Sequence, residues 1–174
     1  MKNTETKTQE IEKDVKDYTK LYTQEDKNIL KIAEDSLDPK IDRVNEIIEY
    51  CKEANIKKIG IANCTSFIHE ANRLEDILIE QGFTVDKVHC KLGKIPFNDL
   101  VEGYKGLSCN PAGQATYLAE KNTELNIMMG LCLGHDMIFN SKSKAPVTPL
   151  IVKDRKLKHY TLNKLKEIKK EQIN

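Results

Sequence analysis

Apolar residues recur along the chain in two rhythms, and the change between them divides it. Up to residue 54 the period is helical. Ile11, Val15, Tyr18 and Tyr22 step by three and four and predict a thin amphipathic helix. Ile29, Leu30, Ile32 and Ala33 mark a second helix over Gln24–Asp35, opened by Thr23 and Asp26. Ile41, Val44, Ile47, Ile48 and Cys51 form the stripe of a third, with Asp38-Pro39 as its cap and first helical residue. From Lys58 the pattern becomes short apolar runs separated by helical stretches. Lys58–Ala62, Phe83–Cys90, Leu125–Leu131 and Pro146–Val152 read as strands. Between them lie helices over Phe67–Gln81, with Ser66 as cap and Gly82 at its end, and from Asn110-Pro111 to Lys121. A short helix over Gly134–Asn140 and a terminal one through Leu162, Leu165 and Ile168 complete the pattern.

Strand and helix in alternation imply a parallel sheet with right-handed crossovers. The predicted fold is α/β: three layers, Rossmann-like, around about four parallel strands; if their order is the common 2-1-3-4, strand order reverses between the Ile59 and Leu125 strands. Residues 1–38 form a helical N-terminal extension and 39–174 the α/β domain. The connection Lys91–Leu107 carries three glycines and Pro96, and loops of that length inside a compact unit are often functional.

Composition narrows the function classes. A net charge of +1 gives no electrostatic case for nucleic acid or a membrane surface. No apolar run approaches the roughly 18 residues of a spanning helix. The opening MKNTETKTQE lacks an apolar signal core, which points to the cytoplasm. Five cysteines without disulfide-scaffold spacing suit metal, redox or plain core roles there.

The cysteines carry the chemical signal. Cys64, Cys90 and Cys132 each follow a predicted strand, so all three fall at the carboxyl edge, where ligands of parallel sheets bind. Thiolates there suit zinc or an iron–sulfur cluster over hard cations. No CxxC occurs, so the short zinc signature is missing. Cys109 precedes the cap Asn110 and stands as a fourth ligand or a reactive thiol. His135, beside Cys132, suits a proton donor, a base or an auxiliary ligand, and Asp136 a helix cap. Lys153 and Arg155 suit either an anion at the site's edge or a solvated strand end. His89 alternates with Cys90 and so faces away from it, toward helix packing. His159 lies in the polar tail and reads as solvated. Cys51 completes a helix's apolar stripe and reads as core.

The blocks KKIGIANC (57–64), GFTVDKVHCKLG (82–93), CNPAGQA (109–115), ELNIMMGLCLGHD (124–136) and SKAPVTPLIVKDR (143–155) resemble a family of uncharacterised prokaryotic proteins described as metal-binding, with CNPxxQA and GLCxGHD as its specific motifs. That resemblance covers roughly 41–155. It implies a metal site at Cys64, Cys90, Cys109 and Cys132. Two features depart from the family pattern: residues 1–50 hold no cysteine, where the family carries a cysteine-rich segment, and His159-Tyr160-Thr161 stands where His-Asn-Pro is usual.

Three functions remain open on the sequence. One is a metal- or iron–sulfur-binding protein, possible also as a redox protein, with Cys64, Cys90 and Cys132 as ligands and Cys109 as fourth ligand. A second is a metal-free thiol enzyme with Cys132 or Cys109 as nucleophile and His135 as base. A third is a binding module for a small anion whose cysteines only pack. Substrate, redox partner and oligomeric state have no signature.

Overall fold

Four parallel strands run in the order β2-β1-β3-β4, the common order that the sequence reading took as its condition. They are β1 Lys58–Asn63, β2 Thr84–His89, β3 Leu125–Met129 and β4 Val147–Ile151. The computed structural model describes residues 17–171. Its helices are α1 Gln24–Asp35, α2 Arg43–Glu53, α3 Ile68–Glu80, α4 Pro111–Glu120, α5 His135–Lys142 and α6 Leu162–Glu171.

Strand alternation sorts the core into two halves. Ile59, Ile61, Leu125, Ile127 and Met129 face one layer, where Ile47, Ile48 and Cys51 of α2 meet Ala71, Leu74 and Leu78 of α3. Ala62, Val88 and Met128 face the other, against Ala115 and Leu118 of α4 and Phe139 of α5. Helices therefore cover both faces of the sheet, giving a three-layer, Rossmann-like domain. Burial pushes the Cys51 thiol up to about 12, with a smaller contribution from Glu124, in keeping with a core cysteine.

Gly60 lets β1 approach the α4 layer. A Cβ there would lie 2.1 Å from Asn126 Oδ1. Asn126 is itself buried, accepting from Thr123 Oγ1 at 2.8 Å and donating to Ser143 Oγ at 2.8 Å. These bonds satisfy a polar side chain in the centre of the sheet.

Local chemistry moved two predicted helix starts. Asp42, not Asp38, caps α2: its carboxylate accepts from the N–H groups of Val44 and Asn45. Asp38 instead accepts from Lys40 N–H, which closes a turn around Pro39. Ser66 does not cap α3, because Thr65–Phe67 forms a 3-10 turn that leads into it. Thr23 and Asp26 make the expected reciprocal cap on α1. Of the first predicted helix, Tyr18–Leu21 is a 3-10 turn, and Ile11 and Val15 lie outside the described residues.

Candidate functional site

The register of β1 on β2 decides where the first two sulfurs meet. Lys58 pairs with Thr84 and Asn63 with His89, so the next pair along is Cys64 and Cys90. The Cys90 N–H donates to Asn63 O at 2.9 Å and keeps that pairing past the strand ends. Cys64 shares its parity with Ala62, and Cys90 with Val88, so both turn into the α4–α5 layer. Both are buried, at 6% and 2% exposure, which separates them from the half-buried Cys109 and Cys132.

Cys109 reaches the same place from the far end of the 91–108 loop. The Asn110 N–H donates to Cys90 O at 2.7 Å, and the Ser108 N–H to Ile95 O at 2.9 Å. Lys91 Nζ closes the neck on Leu107 O at 2.6 Å. Asn110 caps α4 through Gly113 N–H and also donates to Leu92 O. Pinned in this way, the Cys109 thiol donates to Cys90 Sγ across 3.6 Å.

The charge at the site comes from the turn after β4. Lys153 Nζ lies 3.4 Å from Cys64 Sγ and 4.8 Å from the centre of the Phe67 ring. Arg155 Nη2 donates to Cys132 Sγ at 3.1 Å. His159 packs edge-on against Phe67, ring centres 4.7 Å apart, and its Nδ1 accepts from Asp154 N–H. Phe67 sits against Gly130, where φ is +61° and a Cβ would fall 2.0 Å from the ring. Gly130 therefore makes room for the aromatic floor beneath Lys153.

These neighbours set the protonation. The Cys90 thiol against Cys64 is the main influence holding the Cys64 sulfur far below the usual thiol range. Ser66, through its N–H and hydroxyl, and the Lys153 ammonium add to it against the opposing effect of burial. Cys90 moves the other way, raised first by Cys64 and then by burial. A thiolate at Cys64 and a thiol at Cys90 follow, with the negative charge beside the ammonium.

Four cysteines thus gather at the carboxyl edge, but in two groups. Cys64 and Cys90 follow the last register pair of β1 and β2, Cys90 Sγ lies 3.6 Å from Cys109 Sγ, and Cys132 pairs with Arg155. Among the described residues, no group of three or more His, Cys, Asp or Glu side chains is arranged to hold a metal ion. The Cys90–Cys109 spacing of 3.6 Å is near the roughly 3.8 Å edge of a tetrahedral site with 2.3 Å zinc–sulfur bonds. That pair alone does not supply the donor set for zinc or a cluster.

His135 opens α5 half-buried, and its N–H donates to Cys132 O at 2.9 Å. Among the described residues, no hydrogen bond joins its imidazole to a sulfur. Asp136 is not the cap of α5 but its second residue; its carboxylate accepts from the Gly134 and Met137 N–H groups. His89 is exposed rather than packed on a helix, and its Nδ1 accepts from Lys91 N–H. His159 is half-buried on Phe67 rather than solvated. Sequence reading left Lys153 and Arg155 open between an anion site at the edge and a solvated strand end, and paired neither with a sulfur. No helix among the described residues is long and apolar enough to cross a membrane.

Two comparisons place the chain among known sequences. An uncharacterized protein of Methanocaldococcus jannaschii is 48% identical over 124 residues, 68% of this chain. The chain spans 64% of the length of that relative. The model of a family of unknown function, DUF1847, matches residues 2–150. With most of its length matched, the chain belongs to the DUF1847 family of proteins of unknown function.

Proposed function

We propose that the chain is a cysteine-dependent redox protein whose reacting sulfur is Cys64. The observation that carries this reading is the placement of Cys64 Sγ between the Lys153 ammonium, at 3.4 Å, and the Cys90 thiol. A thiolate is the nucleophilic form of cysteine, and a neighbouring cation favours it. Cys90 stands where it can give up a proton to Cys64 or form a bond with it. Cys109 and Cys132, the nucleophiles suggested by the sequence, lack this combination. Lys153 supports the thiolate by its charge; His135, expected as a proton donor, base or auxiliary ligand, makes no side-chain bond to a sulfur among the described residues.

A soft-metal site is the second reading, favoured by the 3.6 Å separation of Cys90 and Cys109. In that reading zinc or iron would recruit Cys64 by displacing its contact with Lys153.

The two readings separate on protein prepared anaerobically. Metal and sulfide content is measured first, and then the order in which iodoacetamide labels the five cysteines. Metal-free protein with Cys64 labelled ahead of Cys90 and Cys51 supports the thiol reading. Stoichiometric zinc or iron, lost when Cys64, Cys90 and Cys109 are replaced, overturns it in favour of the metal site.

A further inference from the structure

Cys64, Cys90 and Cys109 follow one another at the carboxyl edge of the sheet, and the sequence around them holds each at a fixed place. Cys64 and Cys90 continue the β1–β2 register on adjacent strands, which lie about 4.8 Å apart in a parallel sheet. A disulfide accepts Cα separations of about 4.4–6.8 Å. Cys90 then meets Cys109 with 3.6 Å between sulfurs. Cys64 and Cys90 are buried, at 6% and 2% exposure, and Cys109 is half-buried. The first sulfur is therefore open only to small reactants, while the last can meet a larger one.

We infer that Cys64, Cys90 and Cys109 form a sulfur relay, in which a small hydroperoxide is reduced at Cys64 and the resulting disulfide settles between Cys90 and Cys109. The inference rests on the thiol reading of the site. Hydroperoxides are the reactant class because the Cys64 sulfur, buried and 3.4 Å from the Lys153 ammonium, excludes bulky disulfides and is open to small peroxides.

Each step balances. The Cys64 thiolate attacks one peroxide oxygen; the S–O bond forms, the O–O bond breaks, and an alkoxide or hydroxide leaves. Cys64 is then a sulfenic acid, oxidised by two electrons. The Cys90 thiol attacks that sulfur; the S–S bond forms, the S–O bond breaks, and water leaves with the Cys90 proton. The Cys109 thiol next attacks Cys90. The Cys90–Cys109 bond forms, Cys64 departs as thiolate, and the Cys109 proton neutralises the alkoxide. The net change is one peroxide and two thiols giving one alcohol, one water and one disulfide. An external dithiol, reaching the half-buried Cys109, returns the pair to thiols. Cys64 suits the role of leaving group because a sulfur stabilised as thiolate leaves faster. Lys153 provides that stabilisation where it stands.

The bridge would also close the 91–108 loop at a neck that hydrogen bonds already define. Those bonds keep Cys109 beside Cys90 before any reaction, so the final exchange needs no rearrangement of the loop.

The test uses the full chain, reduced and then treated anaerobically with one equivalent of hydrogen peroxide. Thiols are blocked with N-ethylmaleimide and the peptides mapped by mass spectrometry. The relay predicts a linked Cys90–Cys109 peptide with Cys64 recovered as a blocked thiol. In Cys109→Ser the bond stops at Cys64–Cys90. In Cys64→Ser the Cys90–Cys109 peptide is lost at the same time point. If Cys90–Cys109 forms equally fast in Cys64→Ser, the oxidant acts directly on that pair and the relay is wrong. If the wild-type chain accumulates Cys64 sulfenic acid, trapped by dimedone, with no bridge, the relay also fails while Cys64 keeps its reactivity. If Cys64 neither labels nor oxidises, the thiol reading fails with it. The wild-type map needs no variant, so a misfolded substitution does not leave the question open.

Discussion

Lys153 Nζ lies 3.4 Å from Cys64 Sγ, joining the turn after the outer strand β4 to the end of the central strand β1. The contact places a cation beside a buried sulfur at the sheet's carboxyl edge. Charge at the site depends on it together with the thiol of Cys90.

Replacing Lys153 by Met should raise the pH at which Cys64 loses its thiolate. The Cys64 value is depressed in the folded chain, so the thiolate is present at neutral pH and lost as pH falls through the folded value. Lys153 lowers that value less than Cys90 and Ser66 do, so its loss moves the midpoint only part of the way back toward the ordinary thiol range. Iodoacetamide labelling of Cys64 across acidic pH should show its midpoint displaced upward in Lys153→Met. Cys90→Ala should displace it further, since the Cys90 thiol is the larger influence.

Gly130→Ala should unsettle both stability and the site. The residue has φ +61°, and a methyl group would meet the Phe67 ring at 2.0 Å. Backbone strain of this kind costs about 1–3 kcal/mol before the ring moves. Gly82→Ala is the control, with φ +91° and nothing within 4 Å of the added Cβ. Urea unfolding should show a loss in both variants, larger in Gly130→Ala. Only Gly130→Ala should alter the labelling of Cys64, because Phe67 carries Lys153 and His159.

Asn126→Ala should destabilise the sheet without touching the sulfur chemistry. It leaves Thr123 and Ser143 without their shared amide in a buried setting. Thr123 Oγ1 still reaches Leu118 O and Ser143 Oγ still donates to Ala145 O, so the cost is that of the two lost bonds, about 0.5–1.5 kcal/mol each. Urea midpoints should fall while the Cys64 labelling profile stays as in the wild type.

Alkaline pH should weaken the fold through Cys51. Burial raises its thiol to about 12 from an ordinary value of 9.0. For a value raised on folding, an acid that stays neutral in the fold, the stabilising effect is complete below the unfolded value. It is lost as pH rises from there toward the folded one. The loss has a slope of up to about 1.4 kcal/mol per pH unit for one site. Stability followed by urea unfolding from pH 8 to about pH 11 should fall more steeply in the wild type than in Cys51→Ala. The variant's own cavity cost shifts the whole curve and leaves the slope as the readout.

The strands and the carboxyl-edge position of the cysteines were legible because both depend on local patterns, whereas the strand order was only assumed to be the common one. Apolar runs mark the strands, and a cysteine directly after a run must lie at its end. Asn110 as the α4 cap and Gly82 as the end of α3 follow from single-residue preferences. The start of α2 was misplaced because Asp38-Pro39 and Asp42 both satisfy the cap rule, and only the geometry shows which carboxylate meets free N–H groups. The pairing of Lys153 with Cys64, separated by 89 positions, has no local signature. It depends on where β4 ends and how the chain turns back. His159 was unreadable for the same reason. Its place on Phe67 depends on a turn in which its N–H donates to Asp154 O at 2.7 Å.

The most direct measurement is the ultraviolet absorption of thiolate, recorded for metal-free wild type and Cys64→Ser from alkaline to acidic pH. It needs no reagent to reach a sulfur that is 6% exposed. A standing thiolate at Cys64 predicts a difference of one thiolate between the two proteins that persists to about pH 5, well below the ordinary cysteine range. A difference that vanishes near pH 8 would contradict it, because Cys64 would then be an ordinary buried thiol.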